Sequence, residues 1–274
     1  MYPILWKLDL GAGTFELGAY AFFLVLASVV SSSGALWYGK KKFAFPIWPN
    51  FLALLLMIGL GLVGARGLNI LLNWEFYQEN PALIRSFDLR GFSLFGGIFL
   101  GGLGGIVFAR ATKRDSWNFF DMYAPFLGIG IALSRWGCFL NGCCFGRETI
   151  LPWGVVFPNF SQAHFHQLAE DSSNLFVVAA VHPTQLYELF GALAATLLAF
   201  WLNQKKLFSG AAILAFLILF CLVRWLNLAF RVMPESYLAP VWAYPLFYGL
   251  VIVFCGVLFW RKARGFTAKS KKIQ

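Results

Sequence analysis

Seven apolar stretches, near residues 15–38, 51–73, 92–109, 121–141, 184–203, 209–231 and 239–260, divide this 274-residue chain. A helix needs about 20 mainly apolar residues to cross a bilayer. The predicted fold is therefore an all-α polytopic membrane protein with seven transmembrane helices, forming a single integral membrane domain over residues 1–274. With 59% of residues hydrophobic and 12% charged, and a mean hydropathy of +0.70, a soluble core is excluded as the main structure. The net charge of +10 does not point to nucleic acid, because most of it lies in short runs beside apolar segments, as in cytoplasmic membrane loops.

Those runs set the expected orientation. Lys40, Lys41 and Lys42 follow the first span, Arg110, Lys113 and Arg114 the third, and Lys205 and Lys206 the fifth. Arg261, Lys262, Arg264, Lys269, Lys271 and Lys272 follow the seventh. All four clusters fall on one side, which places that side in the cytoplasm and the N-terminus outside. The alternate connections, 74–91 and 142–183, carry both signs: Glu75, Glu79 and Asp88 with Arg85 and Arg90, then Glu148, Glu170 and Asp171 with Arg147. The first residues lack the basic start, short apolar run and small-residue cleavage site of a removable signal peptide. Five cysteines set in apolar sequence do not make a disulfide scaffold.

Glycine spacing predicts where helices meet. The second span carries Gly59, Gly61, Gly64 and Gly67 around Arg66, and the third carries Gly97, Gly101 and Gly105 four residues apart. Small residues at that spacing let helix backbones approach closely.

The stretch from Ser134 to Arg147 concentrates the chemistry. Arg135 lies inside an apolar segment, and a cation there needs an anion, a dipole or water opposite it. Gly137, Gly142 and Gly146 release the helix into a turn and let backbone N–H groups approach a ligand, and Arg147 adds a second cation. The 142–183 connection reads as a small cap on the outer surface. Its His164 and His166 lack a further ligand at a recognisable spacing, so no metal site is expected. Pro183 then suits the first turn of a helix, and Glu188 lies just over one turn inside it.

Arg66, Arg135 and Arg224 each fall roughly five to eight residues before the outer end of spans two, four and six, about 7–12 Å at helical rise. Three helices thus bring three arginines to one level of the outer leaflet, with His182 and Glu188 approaching it and Arg147 and Arg231 just above. Unrelated snorkelling arginines would scatter in depth; a shared depth favours a common anionic ligand, and phospholipid phosphate suits guanidinium.

These residues resemble a known family. Ser134–Arg147 is similar to the signature of prolipoprotein diacylglyceryl transferases, Gly-Arg-x-Gly-Asn-Phe-x-Asn-Gly-Glu-x-x-Gly-Arg, and keeps Arg135, Gly137, Phe139, Asn141, Gly142, Gly146 and Arg147. The run from His182 to Glu188 resembles the family's His-Pro-(Ser/Thr)-Gln-Leu-Tyr-Glu almost throughout. Arg66, Arg224 and Arg231 also fall where the family has arginines. The resemblance implies transfer of the diacylglyceryl group of phosphatidylglycerol to the thiol of a lipobox cysteine behind a prolipoprotein signal peptide, with glycerol phosphate leaving. It implies a multi-pass protein of the bacterial cytoplasmic (inner) membrane that needs no cofactor. Carried over, Arg135 and Arg224 flank the phosphate as catalytic residues together with His182; Arg147, Arg66 and Asn141 hold the headgroup; His182 and Glu188 order the motif around them; and Tyr187 and Glu188 belong to the substrate-binding set. Gly146 and Arg231 complete the substrate-binding set.

The chain also departs from that pattern. The family's His in Ser-Phe-His-Gly-Gly is Phe95 here, its signature Asn and Glu are Cys138 and Cys143, an acidic residue between the sixth-helix arginines is Leu228, and a first-helix Tyr is Leu17. His182 or a cysteine would then take the thiol proton. Cys138, Cys143 and Cys144 admit four readings: apolar packing, a disulfide at the outer face, a low-pKa thiolate beside Arg135, or a metal site short of a fourth ligand. Two alternatives to the transferase remain, a divergent paralogue that binds phospholipid with another acceptor or without turnover, and a lipid or anion transporter. The apolar inner halves of spans two, four and six disfavour the last.

Overall fold

The computed structural model describes residues 3–9, 14–85, 93–159, 161–170, 178–205, 207–232 and 242–271. The charges Asp88, Arg90, Asp171, Lys206 and Lys272, used above to orient the chain, lie outside the described residues.

An antiparallel hairpin, β1 (Ile4–Asp9) and β2 (Thr14–Gly18), leads into α1 (Ala19–Phe43). It is followed by α2 (Ile47–Leu72), α3 (Trp74–Glu79), a 3-10 turn at Pro81–Arg85, α4 (Leu94–Ala111) and α5 (Ser116–Asn141). The chain continues with α6 (Gln162–Glu170), α7 (Thr184–Lys205), α8 (Ala211–Asn227) and α9 (Ala243–Lys271). Among the described residues, five helical stretches are long and apolar enough to cross a membrane: α1, α2, α5, α7 and residues Ala243–Thr267 of α9. Two shorter apolar helices, Phe95–Ala111 and Ala211–Asn227, accompany them.

Three predicted boundaries are corrected. The first span was expected from residue 15, but 15–18 belong to β2, where alternate residues face opposite ways and pair with β1. The sixth was expected to reach 231; α8 ends at Asn227, residues 228–230 turn, and Arg231 pairs in an isolated bridge with Gly146. The last helix runs on to Lys271, beyond the expected 260, because Lys, Arg and Ala are good helix formers whether or not they are apolar. The start of that predicted span, 239–241, lies outside the described residues.

The chain forms two compact units, Gly34–Met122 and a second made of Met1–Ser33 with Tyr123–Gln274. In the first, α2 and α4 pack through glycine. A Cβ on Gly96 would lie 2.2 Å from the carbonyl oxygen of Gly64, and one on Gly101 would lie 2.9 Å from that of Met57. Lipid is as apolar as Leu, so this pair is held by the van der Waals contact that bare backbones allow, as the four-residue spacing predicted.

In the second unit, α5 contacts α1 and α7 in the same way. Gly137 lies against Phe23, Gly130 against Ser31, and Gly128 against Thr196. Pro125 interrupts the α5 ladder, and its own carbonyl accepts a hydrogen bond from Thr196 Oγ1 at 3.2 Å. Helix α8 meets α7 where Gly191 faces Val223, and α9 meets the segment just before α8 through Phe208 against Phe259 and Lys262 Nζ on the Ser209 carbonyl. One end of α5, α7 and α8 is thereby brought together.

Candidate active site

Two sequence motifs meet at that end because the start of α7 satisfies the turn that follows α5. Gly142, at φ 72°, and Cys144, at φ 61°, take left-handed backbone, and the turn's carbonyls would be orphaned without donors. Gln185 Nε2 donates to the Cys143 carbonyl and Thr184 Oγ1 to the Cys144 carbonyl, each at 2.7 Å. Beyond the turn, the Gly146 N–H donates to the His182 carbonyl at 2.9 Å, and the His182 N–H to the Arg147 carbonyl at 2.9 Å. A side chain at Gly146 would strike the His182 Cβ and the Phe230 carbonyl at 2.6 Å, so only glycine fits where these three segments cross. Phe145, Phe157, Ala163 and Val181 pack beneath as an apolar cluster.

This scaffold aims Glu188 into a ring of cations. Its carboxylate is buried, with Oε2 at 2.5 Å from Arg135 Nε and Oε1 at 2.6 Å from Arg224 Nη1 and 3.5 Å from Arg231 Nη1. Asn227 Nδ2 donates to the same Oε1 at 2.9 Å and to the Thr184 carbonyl at 3.1 Å. Tyr248 Oη accepts from Arg224 Nε at 3.1 Å and Nη2 at 3.0 Å. Among the described side chains three guanidinium groups share one carboxylate, and these four groups leave two positive charges in excess. A phosphate monoester or diester is the complementary ligand, and in low dielectric the attraction is far stronger than in water. The side chains of Arg135 and Arg224 keep 20% and 17% of their surface against 8% for Arg231, so the first two are the ones a ligand can reach.

The remaining expected site residues have contacts of their own. The Tyr187 hydroxyl accepts from Trp153 Nε1 at 2.9 Å and lies 3.1 Å from His182 Nδ1, while the His182 ring packs on Phe230 with centroids 4.8 Å apart. Arg147 is exposed, and its backbone N–H donates to the Phe230 carbonyl at 2.7 Å. Asn141 lines a cavity of about 220 Å³ with Pro3, Gly142, Pro158, Ser161 and Gln162. Arg66 belongs to the other unit, where its guanidinium bonds the Leu83 carbonyl and sits 5.3 Å from the Tyr77 ring centroid.

Sequence reasoning missed Asn227, Tyr248, Thr184 and Gln185. Each is a polar side chain in or at the start of an apolar helix, where an unsatisfied group is costly, and that alone marks it as having a partner. The three signature cysteines lie with their sulfurs all within 4.8 Å of one another, and Arg135 Nη1 approaches Cys138 Sγ to 3.8 Å. Hydrogen bonds from Cys138 and then Cys143 hold the Cys144 thiol well below the usual thiol range, and Arg231 and Arg135 add to this against burial.

The family model for prolipoprotein diacylglyceryl transferase matches residues 5–262. The chain belongs to that family. It is thus one of a family of transferases and a multi-pass membrane protein. Similar proteins named phosphatidylglycerol–prolipoprotein diacylglyceryl transferase include one from Wolbachia pipientis, 29% identical over 95% of this chain and 97% of its own length. One from Synechocystis is 28% identical over 78% of this chain and 75% of its own length. Another, from Nocardia farcinica, is 32% identical over 65% of this chain, and the match spans only 37% of that longer protein.

Proposed function

We propose that the chain transfers the diacylglyceryl group of phosphatidylglycerol to the thiol of a lipobox cysteine in a prolipoprotein. The observation that carries this reading is the node of Arg135, Arg224 and Arg231 around Glu188, with two positive charges left over at one end of apolar helices. The family membership and the names of the relatives support the substrates.

In this reading Arg135 and Arg224 grip the headgroup phosphate from either side of Glu188. Arg135 has committed Nε to the carboxylate and Nη1 to Cys138, and Arg224 has committed Nη1 to the carboxylate and two nitrogens to Tyr248. A guanidinium carries five N–H donors, so each retains capacity for phosphate oxygen while its plane is already fixed. The acceptor sulfur attacks the glyceryl carbon that bears the phosphate ester, the carbon–oxygen bond breaks, and glycerol phosphate leaves as an anion. The arginines stabilise the charge that grows on the leaving oxygen, where excluded water makes such stabilisation strongest. The thiol proton passes to His182, whose ring is oriented by Tyr187. Arg147 and Asn141 receive the glycerol end of the headgroup, and Gly146 and Arg231 keep the two motifs in register.

The working protein is a single membrane domain of seven spans, with α4 and α8 as the two short ones, its N-terminus outside and the site in the outer leaflet of the bacterial inner membrane. The basic clusters after the odd-numbered spans support this orientation. Phe95, where the family pattern has His, favours a second reading in which phospholipid is bound for another acceptor or without turnover.

The test uses purified protein in detergent, phosphatidylglycerol and a lipobox peptide, with the peptide mass and glycerol phosphate as readouts. The transferase reading predicts a diacylglyceryl mass gain matched by released glycerol phosphate, and none with a peptide whose cysteine is serine. Phospholipid binding without mass gain would replace it with the second reading.

A further inference from the structure

The transferase chemistry leaves the cysteine trio unused. Cys138 comes from the last turn of α5 and Cys143 and Cys144 from the turn beyond it, yet their sulfurs converge within 4.8 Å of one another. The convergence is imposed by the backbone. Gln185 and Thr184 on α7 hold the carbonyls of Cys143 and Cys144, the Cys143 N–H donates to the Cys138 carbonyl at 3.1 Å, and Cys144 is kept at φ 61°, where a residue with a side chain seldom sits. All five cysteines are free thiols.

We infer that Cys138, Cys143 and Cys144 form a trigonal thiolate site for a soft d10 cation, and that copper(I) is the ion it fits. With metal–sulfur bonds of about 2.3 Å, a trigonal site needs sulfurs about 4.0 Å apart. The widest gap here would close by less than about 1 Å on binding. Three sulfurs, with no His, Asp or Glu grouped with them among the described residues, favour a soft ion over magnesium, calcium or manganese.

Charge favours copper(I) over zinc. Three thiolates around a monovalent ion carry a net charge of −2, which matches the two surplus positive charges of the Arg135, Arg224, Arg231 and Glu188 node while no phosphate is bound there. Arg135 already points an N–H at Cys138 Sγ, the outer contact that steadies a thiolate ligand. A divalent ion would leave one of those charges unmatched and would need a fourth ligand from water. A disulfide would use two sulfurs and strand the third.

The experiment is an anaerobic titration of the reduced, full-length protein in detergent with copper(I), held by a competing chelator and followed by copper–sulfur absorption in the ultraviolet. One equivalent should be taken from the chelator, and each of Cys138→Ser, Cys143→Ser and Cys144→Ser should weaken uptake by more than about 100-fold. The Cys221→Ser/Cys255→Ser variant should bind as the parent does. Because a variant can misfold, the parent protein blocked with N-ethylmaleimide gives a second readout, and it should take up no copper. Uptake that survives blocking or the triple serine change would overturn the site, as would no uptake by protein whose five cysteines all titrate. A disulfide within the trio, or tighter binding of zinc than of copper(I) at matched competition, would overturn it too. None of these readings depends on transferase activity.

Discussion

Between α2 and α4 the contact is backbone against backbone, with Gly64 and Gly96 so close that a Cβ on either would fall within 2.3 Å of the other's carbonyl oxygen. Between α5, α7 and α8, one carboxylate instead gathers three guanidiniums and a carboxamide. Both join helices in a setting where apolar burial gives little drive to associate. The glycine contact is neutral and complete in itself, so it can only hold. The polar node is expensive in hydrocarbon and carries surplus charge, so it can also bind.

The sharpest way to break that contrast is to remove a cation from the node. Arg135→Ala or Arg224→Ala should lower transfer to the lipobox peptide by about 1000-fold or more while the protein still purifies from membranes. Lysine should not rescue either position, since a point charge cannot reproduce the planar fork. Next in size, Glu188→Gln leaves three guanidiniums without their counter-charge and should cost about 3–5 kcal/mol of stability, read as a fall in thermal unfolding temperature in detergent.

The glycine contact answers to a different substitution. Gly96→Val would drive a side chain into the Gly64 carbonyl, a backbone atom that cannot swing aside, and should cost about 1–3 kcal/mol in the same unfolding assay. Gly59→Ala, at a position with open space around its Cβ, should leave stability unchanged within error. Smaller still, Tyr248→Phe deprives two Arg224 nitrogens of their acceptor and should slow transfer by about 10-fold with little change in stability. The Cys138→Ser/Cys143→Ser pair should cost less than that, because serine keeps the size and a hydrogen-bonding atom beside Arg135.

The two regions were also unequally legible in the sequence. Gly97, Gly101 and Gly105 announce a close helix contact because only small residues at four-residue spacing permit one, and the structure pairs Gly97 with Gly61 and Gly101 with Met57. For the node, residue type was readable and partnership was not. A lone intramembrane arginine demands an anion, but which one depends on how α7 is seated. Nothing local says that Glu188 serves Arg135, Arg224 and Arg231 together. Leu228 stands where the family pattern has an acid between the sixth-helix arginines, while the polar contact to Glu188 comes from its neighbour Asn227. The β1–β2 hairpin was missed because a 20-residue apolar window absorbs a five-residue strand into the helix that follows it. The same window carries the sixth predicted span to Arg231, which instead pairs in a bridge with Gly146.

The most direct measurement is transfer of a radiolabelled diacylglyceryl group from phosphatidylglycerol to a lipobox peptide by the purified protein, with Arg135→Ala as its blank. Thiol-linked label above that blank is the predicted result, and it would mean that the arginine node suffices with Phe95 in place of histidine. Equal label with and without Arg135 would contradict the account, because the charge at the centre of the site would then have no part in the reaction.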